Sequence, residues 1–222
     1  MIEILGVELS TLCLQDKPEA LLDQRFFAAW QERHKGMREG DARRASLVGL
    51  LLLQAAGVRG ELAYDRLGRP YLPGQHLDFN ISHTGSGVFC AVERGDDKAC
   101  GYAPRVGIDA EEMNARGQLR TSDMARRWFS ENEQATFFAN PTMESFLRIW
   151  TRKEALVKWL GEGIEALKRT DTVNAEATHG VRFQSYTEGK TLITLCHSAN
   201  LTPPSAVHML TGSELARLCG QK

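Results

Sequence analysis

The sequence has no long apolar run, no paired cysteine motif and no excess of either charge, and each absence removes a class of function. Its longest apolar stretch, residues 47–53, stops at Gln54, far short of the ~20 residues that span a bilayer. The five cysteines (Cys13, Cys90, Cys100, Cys196, Cys219) are odd in number and form no Cys-x-x-Cys pair. A disulfide framework or a zinc site is therefore not expected, and a reducing compartment is. Lys and Arg number 27 against 28 Asp and Glu, a net charge of −1, so no nucleic-acid grip through phosphate neutralisation is expected. Glu3 stands where a secretory leader carries positive charge, and the expectation is a cytoplasmic protein with no membrane segment. No period repeats and no segment is of low complexity.

What is present is a globular composition, with 42% hydrophobic and 25% charged residues over 222 positions, enough for one or two domains with a sizeable core. Alternating apolar positions predict strands over residues 2–9, 78–84, 87–93, 105–111, 181–186, 191–197 and 206–210. Helical spacing predicts helices over 19–33, 42–56 (N-capped by Asp41, closed by Gly57), 122–129, 131–139 and 143–160. Gly and Pro enforce turns over 67–74, and Gly85-Ser86 reads as a hairpin turn. The Gly/Asp-rich loop 94–105 marks a boundary between an N-terminal half, 1–104, and a C-terminal half, 105–222. The fold class expected is α+β with hairpin-joined, mainly antiparallel strands.

Five groups of residues could carry chemistry. In Val106-Gly107-Ile108-Asp109-Ala110-Glu111, alternation puts Asp109 and Glu111 on the face of Gly107, leaving Val106, Ile108 and Ala110 to the core. Two adjacent carboxylates repel unless a cation lies between them, and hard oxygen ligands suit Mg²⁺. Gly107 leaves room at the backbone for a ligand; an edge strand ending in solvated acids is the plainer alternative. In Trp150-Thr151-Arg152-Lys153-Glu154-Ala155-Leu156-Val157-Lys158, Trp150, Glu154 and Lys158 share one helix face. That is either a surface Glu–Lys pair or a third acid beside a phosphate-holding lysine. The run Phe79-Asn80-Ile81-Ser82-His83-Thr84 ends at Gly85-Ser86-Gly87 and offers hydroxyls and backbone N–H groups to an anion. Arg33, His34, Lys35, Arg38, Arg43, Arg44 and Arg69 form either a solvated basic face or a phosphate grip. Ser130 and Glu133 match a capping box, and a share in metal binding by Glu133 is the lesser alternative.

Together with Gly68-Arg69-Pro70-Tyr71 and Trp128-Phe129-Ser130-Glu131-Asn132-Glu133, these stretches follow one another in an order that resembles the large, single-chain 4′-phosphopantetheinyl transferases of the Sfp type. The likeness covers residues 43–158. It implies a monomer of two similar α+β halves about a pseudo-twofold axis, with coenzyme A in the cleft between them. It also implies a reaction in which the serine of an apo acyl or peptidyl carrier protein takes phosphopantetheine from coenzyme A and adenosine 3′,5′-bisphosphate leaves. Under that resemblance Asp109, Glu111 and Glu154 hold Mg²⁺ (Mn²⁺ being the alternative), Glu154 serves as general base, and Lys158 neutralises a pyrophosphate oxygen. Ser82, His83 and Arg44 (or Arg43, one residue away) hold phosphates of coenzyme A. Arg69 approaches the adenine end, standing where the family commonly has Lys. Carrier proteins are usually acidic, so residues 113–127, with Met113, Arg116, Arg120, Met124, Arg126 and Arg127, are the expected docking patch. Two rival readings keep the site: a metal-dependent coenzyme A phosphohydrolase, and a non-catalytic nucleotide-binding protein.

Overall fold

The computed structural model describes residues 1–12, 18–35, 40–95, 103–113 and 121–220. The chain divides into two compact units, residues 1–104 with 204–222, and residues 105–203.

In the first unit, β1 (Ile2–Glu8) is followed by α1 (Gln24–Arg33) and α2 (Asp41–Ala55), the short strands β2 (Ala63–Tyr64) and β3 (Pro70–Tyr71), and the hairpin β4 (Leu77–His83) and β5 (Gly87–Arg94). The long helix predicted over 19–33 is broken. A 3₁₀ turn at Pro18–Leu21 precedes Asp23, whose carboxylate accepts the Arg25 N–H and starts α1. Gly40, not Asp41, is the N-cap of α2; Asp41 lies in the first turn, where its charge complements the helix dipole. The run Leu47, Leu50, Leu51, Leu52 and Leu53 is buried against Phe26, Trp30, Phe79 and Val92, the dominant favourable contribution to this unit.

The second unit opens with β6 (Val106–Glu112), then α3 (Thr121–Trp128), α4 (Glu131–Ala139), α5 (Met143–Leu160), α6 (Ala175–His179) and the hairpin β7 (Val181–Glu188) and β8 (Thr191–Ser198). Capping boxes at Ser130–Glu133 and Thr142–Ser145 start α4 and α5, and Gly161 in the left-handed region closes α5. Phe129, Phe137 and Phe146 pack edge-on and stacked beneath α3 to α5.

Each unit is α+β, and both use one strand order: the opening strand pairs antiparallel with the second strand of the later hairpin, as β4-β5-β1 and as β7-β8-β6. In each, the long helix before the hairpin (α2, α5) packs on the sheet. The C-terminal half was expected to run to residue 222, but β9 (His208–Leu210) and α7 (Gly212–Gly220) belong to the first unit. β9 pairs parallel with β1, Leu215 and Cys219 enter the α2 core, and the buried Gln54 amide donates to Leu21 O and Cys219 O. A polar residue that ends an apolar run is thus the bolt holding the chain's return. No helix among the described residues is long and apolar enough to cross a membrane, and Cys90, Cys196 and Cys219 are buried free thiols.

Candidate active site

Strand β6 and helix α5 assemble the acidic group. α5 lies on the face of β6 that carries Gly107 and Asp109. A Cβ on Gly107 would stand 2.1 Å from Ala155 O and 2.7 Å from Trp159 N. The expectation that Gly107 opens the backbone to a ligand is therefore corrected: helix backbone fills that space. This close approach lets Lys158 reach β6, where its ammonium donates to Ile108 O (3.1 Å) and pairs with Asp109 Oδ1 (2.6 Å). Asp109 is 4% exposed, so the pair is largely screened from water.

The other two carboxylates feel the crowding. Burial, then the charges of Asp109 and Glu154, push Glu111 up to about 7 from the ordinary carboxylate range; the Trp150 indole, hydrogen-bonded to it, and Lys158 pull back. Burial and Asp109 also raise Glu154, against the pull of Lys158. Trp150, Glu154 and Lys158 thus act on β6, as the shared helix face predicts. All-oxygen donors of like charge, two of them destabilised as anions, match the chemistry of a hard divalent cation. Among the described residues, however, no three His, Cys, Asp or Glu side chains are drawn into a ready-made metal cage. The carboxylates sense one another's charge, and Lys158 is the cation at Asp109.

The basic residues of the first unit are placed as follows. Arg44, in the first turn of α2, donates to Leu12 O (3.4 Å) and lines a cavity of about 460 Å³ with Trp30, Arg43 and Leu47. Arg43 lies over the Trp30 ring, 4.8 Å from its centroid, and also lines a second cavity of about 450 Å³ with His34 and Lys35. Ser82 is buried, and the exposed His83 ends β4 on the face of Ile81, the residue that Gly49 of α2 packs against. The Thr84 hydroxyl accepts the N–H groups of Ser86 and Gly87, so it closes the turn. Arg69 donates to Asp78 Oδ2 (2.5 Å) and Phe79 O (3.3 Å), anchoring the turn to β4. Arg33 lies over Tyr64 (4.6 Å to the centroid) and against Gly68 of the same turn.

A model of the 4′-phosphopantetheinyl transferase superfamily matches residues 105–210, the segment that holds Asp109, Glu111, Glu154 and Lys158. Over 166 residues the chain is 32% identical to the 4′-phosphopantetheinyl transferase AcpT of Salmonella typhi, across 72% of this chain and 75% of that protein. This chain belongs to the 4′-phosphopantetheinyl transferase superfamily. It is also 30% identical over 136 residues to a 4′-phosphopantetheinyl transferase of Bacillus subtilis, across 56% of this chain and 54% of that protein, so that match spans about half the relative's length. With the 4′-phosphopantetheinyl transferase Sfp of Bacillus subtilis it shares 32% identity over 98 residues, 43% of this chain and 37% of Sfp.

Sequence reasoning missed three partners of the candidate residues. Lys153 has no exposed surface and pairs with Glu133; it lies off the 150/154/158 face. The Trp150 indole is a donor to Glu111 as well as an apolar cover. Asp78, which holds Arg69, carries no sequence signal linking it to a turn nine residues earlier. Glu133 is a cap, as its motif predicts: its carboxylate takes Ser130 N, Lys153 Nζ, Thr172 N and Thr172 Oγ1. Of the expected docking patch, Arg116 and Arg120 lie outside the described residues, as does Arg38 of the basic run. Met113 and Met124 pack on the Phe129 cluster, while Arg126 lies over Phe138 and Arg127 over Trp128.

Proposed function

We propose that this protein moves the 4′-phosphopantetheine group of coenzyme A onto a serine of an apo acyl or peptidyl carrier protein, working as a cytoplasmic monomer. The observation that carries the reading is the grouping of Asp109, Glu111, Glu154 and Lys158 on β6 and α5 in a chain of this superfamily.

In the proposed step the serine hydroxyl oxygen bonds to the β-phosphorus of coenzyme A. The bond from that phosphorus to the bridging pyrophosphate oxygen breaks, and adenosine 3′,5′-bisphosphate departs with the negative charge. Phosphoryl transfer asks a protein chiefly for positioning and charge neutralisation. Glu154 takes the serine proton as general base. Lys158, already directed at β6 by two bonds, neutralises charge on the pyrophosphate. Asp109, Glu111 and Glu154 would hold a divalent cation, Mg²⁺ or Mn²⁺, which supplies Lewis-acid neutralisation of the pyrophosphate when bound. Arg44, Ser82 and His83 hold phosphates of coenzyme A. Arg69, fixed on Asp78, sets the turn at the adenine end.

Chromatography of the nucleotide products tests this. Adenosine 3′,5′-bisphosphate should appear only when coenzyme A, Mg²⁺ and an apo carrier protein are all present, and not with Glu154→Gln. Free 4′-phosphopantetheine formed without carrier would instead make the protein a phosphohydrolase.

A further inference from the structure

The side chain next to Glu154 on α5 is a lysine with no exposed surface, and nothing in the proposed reaction uses it. Lys153 Nζ donates to Glu133 Oε2 (2.6 Å) and to Thr170 O (2.5 Å). Glu133 has no exposed surface either, and its Oε1 takes both the backbone N–H and the hydroxyl of Thr172 at 2.8 Å. Ser130 N closes on Oε2 at 2.8 Å. Burial pulls Lys153 below the ordinary ammonium range, with the Glu133 bond and charge opposing. An ion pair this deep rarely adds more stability than apolar residues of the same volume would. A fully satisfied buried network rigidifies its surroundings, because hydrogen bonds of fixed geometry hold a side chain at one angle.

The angle in question is the roll of α5. On the sheet side the helix is set by Ala155 O against Gly107 and by the Thr151–Thr194 hydroxyl pair (2.7 Å), Thr194 being the register partner of Asp109. On the other flank it is set by Lys153. Neighbouring helix residues stand about 100° apart around the axis, so any roll that moves Lys153 carries Glu154 with it. Reacting groups must be held to about 0.5 Å.

We propose that Lys153 and Glu133 are positioning residues that lock the roll of α5, so that Glu154 and Lys158 meet Asp109 and Glu111; this rests on the transferase reading of the site. Neither touches the reacting atoms.

The test compares wild type with the double variant Glu133→Gln/Lys153→Met, which removes both charges while keeping the lysine stem's volume and an acceptor for Thr172. Circular dichroism melting establishes that it folds. Mn²⁺ affinity, read by electron paramagnetic resonance, and kcat should each fall about 10- to 100-fold, as for other residues that orient metal ligands, with KM for the carrier unchanged. A folded variant with wild-type Mn²⁺ affinity and kcat overturns the proposal. If the double variant does not fold, Thr172→Val, which removes one donor to Glu133 and should lower the melting temperature without unfolding the protein, should lower both quantities severalfold; no change in either overturns the proposal. The Mn²⁺ arm stands apart from transfer. Wild type that binds Mn²⁺ but modifies no carrier defeats the transferase reading alone, and wild type that binds no Mn²⁺ defeats the positioning proposal as well.

Discussion

Replacing Gly107 by alanine should damage this protein more than any other single methyl group added to a strand. The backbone there is ordinary strand, outside the left-handed region, so the effect is steric and not conformational. The new Cβ would stand 2.1 Å from Ala155 O and 2.7 Å from Trp159 N, both backbone atoms of α5, where real Cβ contacts begin near 3.0 Å. No rotamer relieves this, so α5 must retreat from β6 by about 1 Å, a displacement that can cost about 100-fold in rate when it separates catalytic groups. The overpacking itself should cost about 1–3 kcal/mol. Gly6→Ala is the control. Its Cβ meets Met209 Sδ at 2.6 Å and Phe89 Cδ1 at 2.8 Å, side-chain atoms that can turn aside, so a smaller loss of stability and no loss of kcat are expected. Urea unfolding gives the stability change, and kcat at saturating coenzyme A and carrier gives the functional one. Wild-type stability and kcat for Gly107→Ala would refute the claim that this glycine exists to seat α5.

Three further perturbations test other parts of the account. Lys153→Met alone strands the Glu133 carboxylate without exposed surface and should cost about 3–5 kcal/mol in urea unfolding, more than the double variant with Glu133→Gln; a smaller cost would mean the pair is not what holds that charge. Burial first, and the charge of Arg182, keep His197 below the ordinary histidine range. Below about pH 6.5 the unfolded chain therefore takes up a proton the folded one resists, and stability falls as pH drops. His197→Gln should flatten that fall below about pH 6.5, and an unchanged slope removes the assignment. Mg²⁺ should raise the melting temperature of wild type and leave Asp109→Asn unmoved; equal shifts in both would place the cation elsewhere.

The parts legible in the sequence are those with strong local patterns. The capping box at Ser130 and the long periodic run of α5 appear at the predicted residues, and β6 is displaced by one, because caps and apolar alternation act over a few residues. The 150/154/158 face was readable for the same reason. What was not readable depends on residues far apart in the chain. Gly107 has the same signature whether a ligand or a helix backbone covers it. Lys153 looks like any surface lysine until Glu133, twenty positions away, is placed beside it. The tail 204–222 belongs to the first unit through pairing with β1 and the Gln54 amide, neither of which a local window contains. The shared strand order of the two units lies in which strands pair, and many residues satisfy the apolar alternation within each strand, so it leaves no sequence repeat.

The most direct measurement is the intact mass of a purified apo carrier protein after incubation with this protein, coenzyme A and Mg²⁺. The account predicts a gain of one phosphopantetheine, absent with EDTA and absent with Glu154→Gln. An unchanged mass across fatty-acid, polyketide and peptidyl carriers, with coenzyme A bound or hydrolysed, would contradict it.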